Sequence, residues 1–145
     1  MSLNVVLLRQ SFEMVVEQSP ELTHRFYEIL FERYPATREM FPKNRQADQE
    51  KMLTQALVAV LDHLEDAPWL VNTLHALGAK HIAYGVTDEM YAWVGDALLA
   101  TLREVAGAAW SPELEKAWSD AYSAIAGLMQ EGARLDTSFK EVASA

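Results

Sequence analysis

Glycine and proline are scarce in this chain, six and five among 145 residues. Between them run long stretches in which apolar residues recur every three or four positions. That spacing gathers apolar side chains on one face of a helix with 3.6 residues per turn and gives no strand signal. It predicts an all-α domain of six or seven helices. A first helix spans about Asn4 to Glu17 with Val5, Leu8, Phe12 and Val15 on one face. Ser19 followed by Pro20 reads as a cap and a first-turn proline opening a second helix, which carries Leu22, Phe26, Ile29 and Leu30 and ends before Pro35. Tyr27 and Phe31 lie on its other side, so this helix is expected to be buried nearly all round.

A short turn from Pro35 to Phe41 and a polar loop from Pro42 to Ala47 come next, and Asp48 can cap a helix that reaches Leu64. Its stripe is Leu53, Ala56, Leu57, Val60 and Leu64. Pro68 resets the chain, and a helix from Trp69 to about Tyr84 aligns Leu70, Leu74, Leu77 and His81. Gly85 ends it; Thr87 caps a long helix through Tyr91, Val94, Leu98, Leu102 and Val105, closed by Gly107. Ser111 with Pro112 repeats the cap-plus-proline start. The last helix runs through Leu114, Trp118, Ala121, Tyr122, Ile125 and Leu128 and is expected to fray into a polar tail after about Leu135. No fixed-period repeat suggests a solenoid, and the length predicts one domain over residues 1–145.

Composition narrows the partners. A net charge of −9 from 12 basic and 21 acidic residues argues against nucleic acid and against anionic membranes. The absence of cysteine excludes disulfides, thiol catalysis and thiolate metal sites. The apolar run Val5 to Leu8 is broken by Arg9, too short for a signal peptide or a membrane span, and a cytoplasmic location is the default expectation.

There is no phosphate loop, no His-Glu-x-x-His, no nucleophile elbow and no histidine pair spaced for one metal. Chemistry must therefore lean on a cofactor or on isolated side chains. His81 shares the stripe of Leu70, Leu74 and Leu77. It is either a core histidine bonded to a backbone carbonyl or an axial ligand to haem iron facing an apolar slot. His24 and His63 occupy polar helix positions and read as solvated; His75 lies a quarter-turn off the stripe and reads as surface. Gln49 directs an amide toward the buried side of its helix, and Tyr27 is a phenol that needs a partner if buried.

Taken in order, LTHRFYEILF (22–31), Phe41 after its proline-started turn, ADQEKMLTQAL (47–57), LGAKH (77–81), YAWVGDALLATL (91–102) and KAWSDAY (116–122) resemble the globin domain of bacterial flavohaemoglobins and their single-domain relatives. The resemblance runs from about Leu7 to Met129. It implies a globin fold of six to eight helices around a pocket for haem b, with His81 as the proximal ligand to its iron. Phe41 matches the ring that packs on the haem face, Tyr27 the distal hydroxyl donor, Gln49 the distal glutamine, and Leu53 the apolar residue crowding the ligand. Tyr91 matches a proximal tyrosine; Lys80 and Val94 match positions that touch a propionate and the porphyrin.

Leu135 stands where the family carries a glutamate that joins the proximal tyrosine, with Glu131 a full turn away, so the electron push through His81 is expected to be weaker. The loop after Phe41 is about two residues shorter, which would displace Gln49. No reductase is expected after Ala145. The resemblance implies binding of O2 and NO and nitric oxide dioxygenation with a separate reductase, in a monomer or homodimer. The alternatives are an oxygen carrier, store or gas sensor on the same haem, and a globin-shaped interaction module that binds none.

Overall fold

A computed structural model describes residues 4–41 and 45–144, with side chains as far as Leu135 apart from Ala83. The described chain is helical throughout: α1 (Val5–Gln18), α2 (Leu22–Arg33), α3 (Gln46–Asp62), α4 (Ala67–Ala83), α5 (Asp88–Ala106) and α6 (Pro112–Ser144), with short 3-10 turns at Pro35–Met40 and Gly107–Ala109. Pro42 to Asn44, half of the expected polar loop, fall outside the described residues. The backbone of α6 stays helical to Ser144, beyond Leu135 where the apolar pattern weakens.

Most element boundaries follow local chemistry. Asn4 caps α1 by accepting the Leu7 amide, Asp66 caps α4 by accepting the Trp69 amide, and Ser111 accepts the Leu114 amide at the start of α6. Gly107, at φ 54°, supplies the left-handed turn that ends α5. Two expected starts differ. Ser19 closes α1 by donating its amide to the Val15 carbonyl, and its own carbonyl accepts from Leu22, so Pro20 lies in a turn and α2 begins two residues later than its Ser-Pro signal. Asp48 sits inside the first turn of α3, where a carboxylate complements the helix dipole, and the helix starts at Gln46.

The core divides into two clusters. The larger joins Leu8, Phe12 and Val15 of α1 with Phe26 and Leu30 of α2, Leu98 and Leu102 of α5, and Trp118 of α6. Each fully buried leucine contributes roughly 1.5–3 kcal/mol. A polar seam between α1 and α6 is satisfied: Trp118 Nε1 donates to Ser11 Oγ at 2.9 Å, and Ser11 donates to the Leu7 carbonyl at 2.7 Å. The smaller cluster holds Leu74 of α4, Tyr91 of α5, and Ala126 and Met129 of α6. Here α4 and α6 meet backbone to backbone. A Cβ on Gly78 would overlap the Met129 carbonyl, and one on Gly132 would overlap the backbone of His75.

Gly78→Ala is therefore expected to destabilise the protein by about 1–3 kcal/mol through overpacking, although alanine is the better helix former. Gly127, also in α6, faces open space, and Gly127→Ala is expected to stabilise by about 0.5–1 kcal/mol. Denaturant unfolding of the two variants reads the opposite signs.

Candidate functional site

Tyr27 lies in the middle of α2 with only 3% of its surface exposed. Its ring meets Phe26, Phe31 and Phe41 at centroid distances of 5.0, 5.8 and 5.4 Å. The 3-10 turn delivers Phe41 to this cluster, half-buried, with its amide bonded to the Arg38 carbonyl. Gln49 reaches the same place from α3: its Nε2 donates to Tyr27 Oη at 3.2 Å. The shorter loop thus leaves Gln49 in reach of Tyr27, against the displacement expected from its length. Because Tyr27 Oη accepts here, its own hydrogen remains uncommitted. Burial raises the Tyr27 pKa, opposed by the bond from Gln49. Leu53, one turn after Gln49, is half-buried against the larger cluster, as is Val94 on α5.

His81 sits in the last turn of α4, half-buried, with Nδ1 2.7 Å from the Leu77 carbonyl. A carbonyl can only accept, so in the neutral ring Nδ1 carries the hydrogen and Nε2 keeps its lone pair. The Tyr91 ring lies 6.5 Å from that of His81. Tyr122 holds Tyr91 in place by donating to its carbonyl at 2.6 Å, and Gly95, one turn on, lets the Tyr122 ring lie against α5. The sequence reading passed over this positioning role of Tyr122; the mid-helix glycine four residues after Tyr91 was the available signal. Burial raises the phenols of both Tyr91 and Tyr122. Lys80, next to His81, is exposed.

Glu131 bonds to His75 Nε2 at 3.1 Å, and Leu135 is 55% exposed. Among the described residues neither supplies a carboxylate to Tyr91 or His81. Two histidines depart from their expected settings. His75 is half-buried against α6 rather than at the surface, because the glycine contact brings the helices together. His63, expected in solvent, stacks on Trp69 at 3.9 Å with Nδ1 bonded to the Ala59 carbonyl. His24 is exposed as expected, but pairs with Glu50 at 2.9 Å.

The globin profile matches residues 24–129, most of the chain. The chain belongs to the globin family. This globin is 34% identical over 125 residues to a flavohemoprotein of Bordetella pertussis, covering 85% of the chain and 31% of that protein. It is 31% identical over 131 residues to a flavohemoprotein of Rhodopirellula baltica, covering 88% of the chain and 32% of that protein. The globin thus spans about a third of the length of these relatives. A solved bacterial globin from Campylobacter jejuni superposes with TM-score 0.76 at 24% identity, over 90% of this chain and 94% of that one, and shares the fold. A candidate nitric oxide dioxygenase from Rhodothermus marinus, in an engineered carbene-transferase form, superposes with TM-score 0.78 at 26% identity over 97% and 96% of the two chains.

The fold family implies haem, and the residues present fit it. Leu61 is the one buried residue of α3, and among the described side chains of α4 Leu74 is the one hydrophobic residue in the buried core. The stripes Leu53, Leu57 and Val60 on α3 and Leu70 and Leu77 on α4 stay half-covered, the first two against the larger cluster and the rest against the smaller. Such apolar faces suit a flat apolar group. The free Nε2 of His81 is the type of donor iron takes.

Raised phenol pKa values add stability that is fully present below the ordinary tyrosine value near 10 and is lost as pH climbs through the folded value. Absorbance during base titration is therefore expected to show Tyr27 and Tyr122 ionising later than a free phenol. Tyr27→Phe and Tyr122→Phe should each remove one phenol from that late step.

Proposed function

We propose that this globin holds haem b through His81 Nε2, binds O2 and NO, and converts nitric oxide to nitrate. Haem b, if bound, would be held by His81 and would supply an iron able to bind a diatomic gas. The backbone carbonyl of Leu77 fixes the tautomer and plane of the His81 ring. Phe41 offers an aromatic wall next to Tyr27, Leu53 restricts the space one turn beyond Gln49, Val94 offers an apolar contact for the ring, and Lys80 a cation for a propionate. Tyr91, held by Tyr122, buttresses the proximal side.

The observation that carries the reading is the Tyr27–Gln49 pair. A phenol that accepts from an amide has its own hydrogen available for a ligand that gathers negative charge, and it sits in a site walled by three phenylalanines where such a bond is strengthened. Slow ligand release favours reaction over delivery. One nitric oxide, one dioxygen and one electron give one nitrate, and a separate reductase provides the electron. The named relatives join a flavin to a haem protein, and the Rhodothermus protein is named for this same reaction; both support the reading.

Hydrogen bonds to a charged acceptor contribute about 1.5–3 kcal/mol. Stopped-flow measurement is therefore expected to show O2 released roughly 10- to 100-fold faster from Tyr27→Phe, with nitrate yield per nitric oxide reduced. His81→Ala should abolish the Soret band. Fast release in the native protein, unchanged in Tyr27→Phe, would point to an oxygen carrier instead.

A further inference from the structure

The distal half of α3 is held in an unusual way. None of its residues before Leu61 is buried, so apart from half-buried Leu53 its first turns have little apolar anchoring. Three side-chain contacts tie them to α2: Gln49 to Tyr27 at 3.2 Å, Thr23 to Thr54 at 3.0 Å, and His24 Nδ1 to Glu50 Oε2 at 2.9 Å. Glu50 Oε2 also accepts from Gln46 Nε2 at 2.9 Å, so one carboxylate oxygen gathers the first turn of α3 and the α2 imidazole together. Glu50 is the immediate neighbour of Gln49. His24 and Gln46 line an open cleft of about 600 Å³ that Phe31 and Phe41 also border, which leaves His24 in contact with solvent protons.

We infer that His24 and Glu50 form a proton-dependent latch that positions Gln49 on Tyr27, tight while His24 is charged and looser once it is neutral. Both are positioning residues; neither touches the ligand. Glu50 faces His24 from α3, Glu21 just before α2 and Glu28 within it flank the imidazole, and Arg25, Glu32 and Arg38 stand around the cleft. The bond from Glu50, its charge and those of Glu28 and Glu21 raise the His24 pKa above the ordinary 6.5 against a smaller desolvation effect. The charge-assisted bond is therefore complete on the acid side and fades as pH rises through the raised value. The inference deepens the proposed function and rests on it, because Gln49 sets the Tyr27 hydroxyl that is proposed to donate to the ligand.

The test follows O2 release and the C–O stretching band of the ferrous carbon monoxide form, from mildly acidic to mildly alkaline pH. An exposed ion pair can shift such a rate by about two- to fivefold. Release is expected to speed up by that factor across the His24 titration, with the C–O band moving in parallel. His24→Gln and Glu50→Gln should flatten both profiles. His24→Lys, charged throughout, should restore slow release without the pH step. The side-chain amide resonance of Gln49 in the purified chain reads the same latch whether or not haem is bound.

A step that persists in His24→Gln, or a Gln49 amide resonance that does not follow the His24 titration, overturns the latch. If Tyr27→Phe leaves release unchanged while the Gln49 resonance still follows His24, the gas-chemistry reading fails and the latch stands. If Tyr27→Phe accelerates release but no His24-linked step exists, the reverse holds.

Discussion

Backbone contact between α4 and α6, with Gly78 against Met129 and Gly132 against His75, governs where everything on α4 can sit. His81 is three residues beyond Gly78, so its ring inherits that placement. α6 is pinned in turn, to α1 through Trp118 and Ser11 and to α5 through Tyr122 and the Tyr91 carbonyl. The proximal side is thus set by main chain and buried aromatic groups, which pack densely and yield little.

The distal side is built on a different principle. Tyr27 is locked into α2 by three phenylalanines, yet Gln49 arrives on a helix whose early turns hold by polar contacts at partly exposed positions. Such contacts are individually weak and respond to charge state. Under the proposed function, a firmly placed His81 and an adjustable Gln49 would let ligand release vary while the imidazole stays where it is. The core is divided as well, and the apolar stripes on α3 and α4 stay only half-covered by protein.

Much of this was legible beforehand. The apolar period located α1, α4, α5 and α6, because a 3.6-residue repeat with few glycines has one regular solution. The placing of His81 on a leucine stripe could be read from its spacing, and Tyr27 was recognisable as a phenol among the apolar residues of α2. That helix keeps an exposed face at His24, Glu28 and Glu32 rather than being buried nearly all round. Local chemistry misled where two signals compete: Ser19 and Pro20 imitate a helix start but close the preceding helix, since the Ser19 amide still satisfies the Val15 carbonyl. His63 and His75 read as surface residues from helical position alone, because stacking on Trp69 and the approach of α6 are not encoded in one helix's period.

The sequence by itself determined an all-helical chain, its caps and breaks, and the candidate donors, because each of these depends on residues within one or two helical turns. Only the tertiary structure decided which donors meet. That Gln49 reaches Tyr27, that Glu131 turns to His75, and that Glu50 bridges Gln46 and His24 all depend on crossings between helices. Such crossings are set by where small residues let backbones close and where apolar faces find cover, a balance summed over the whole core.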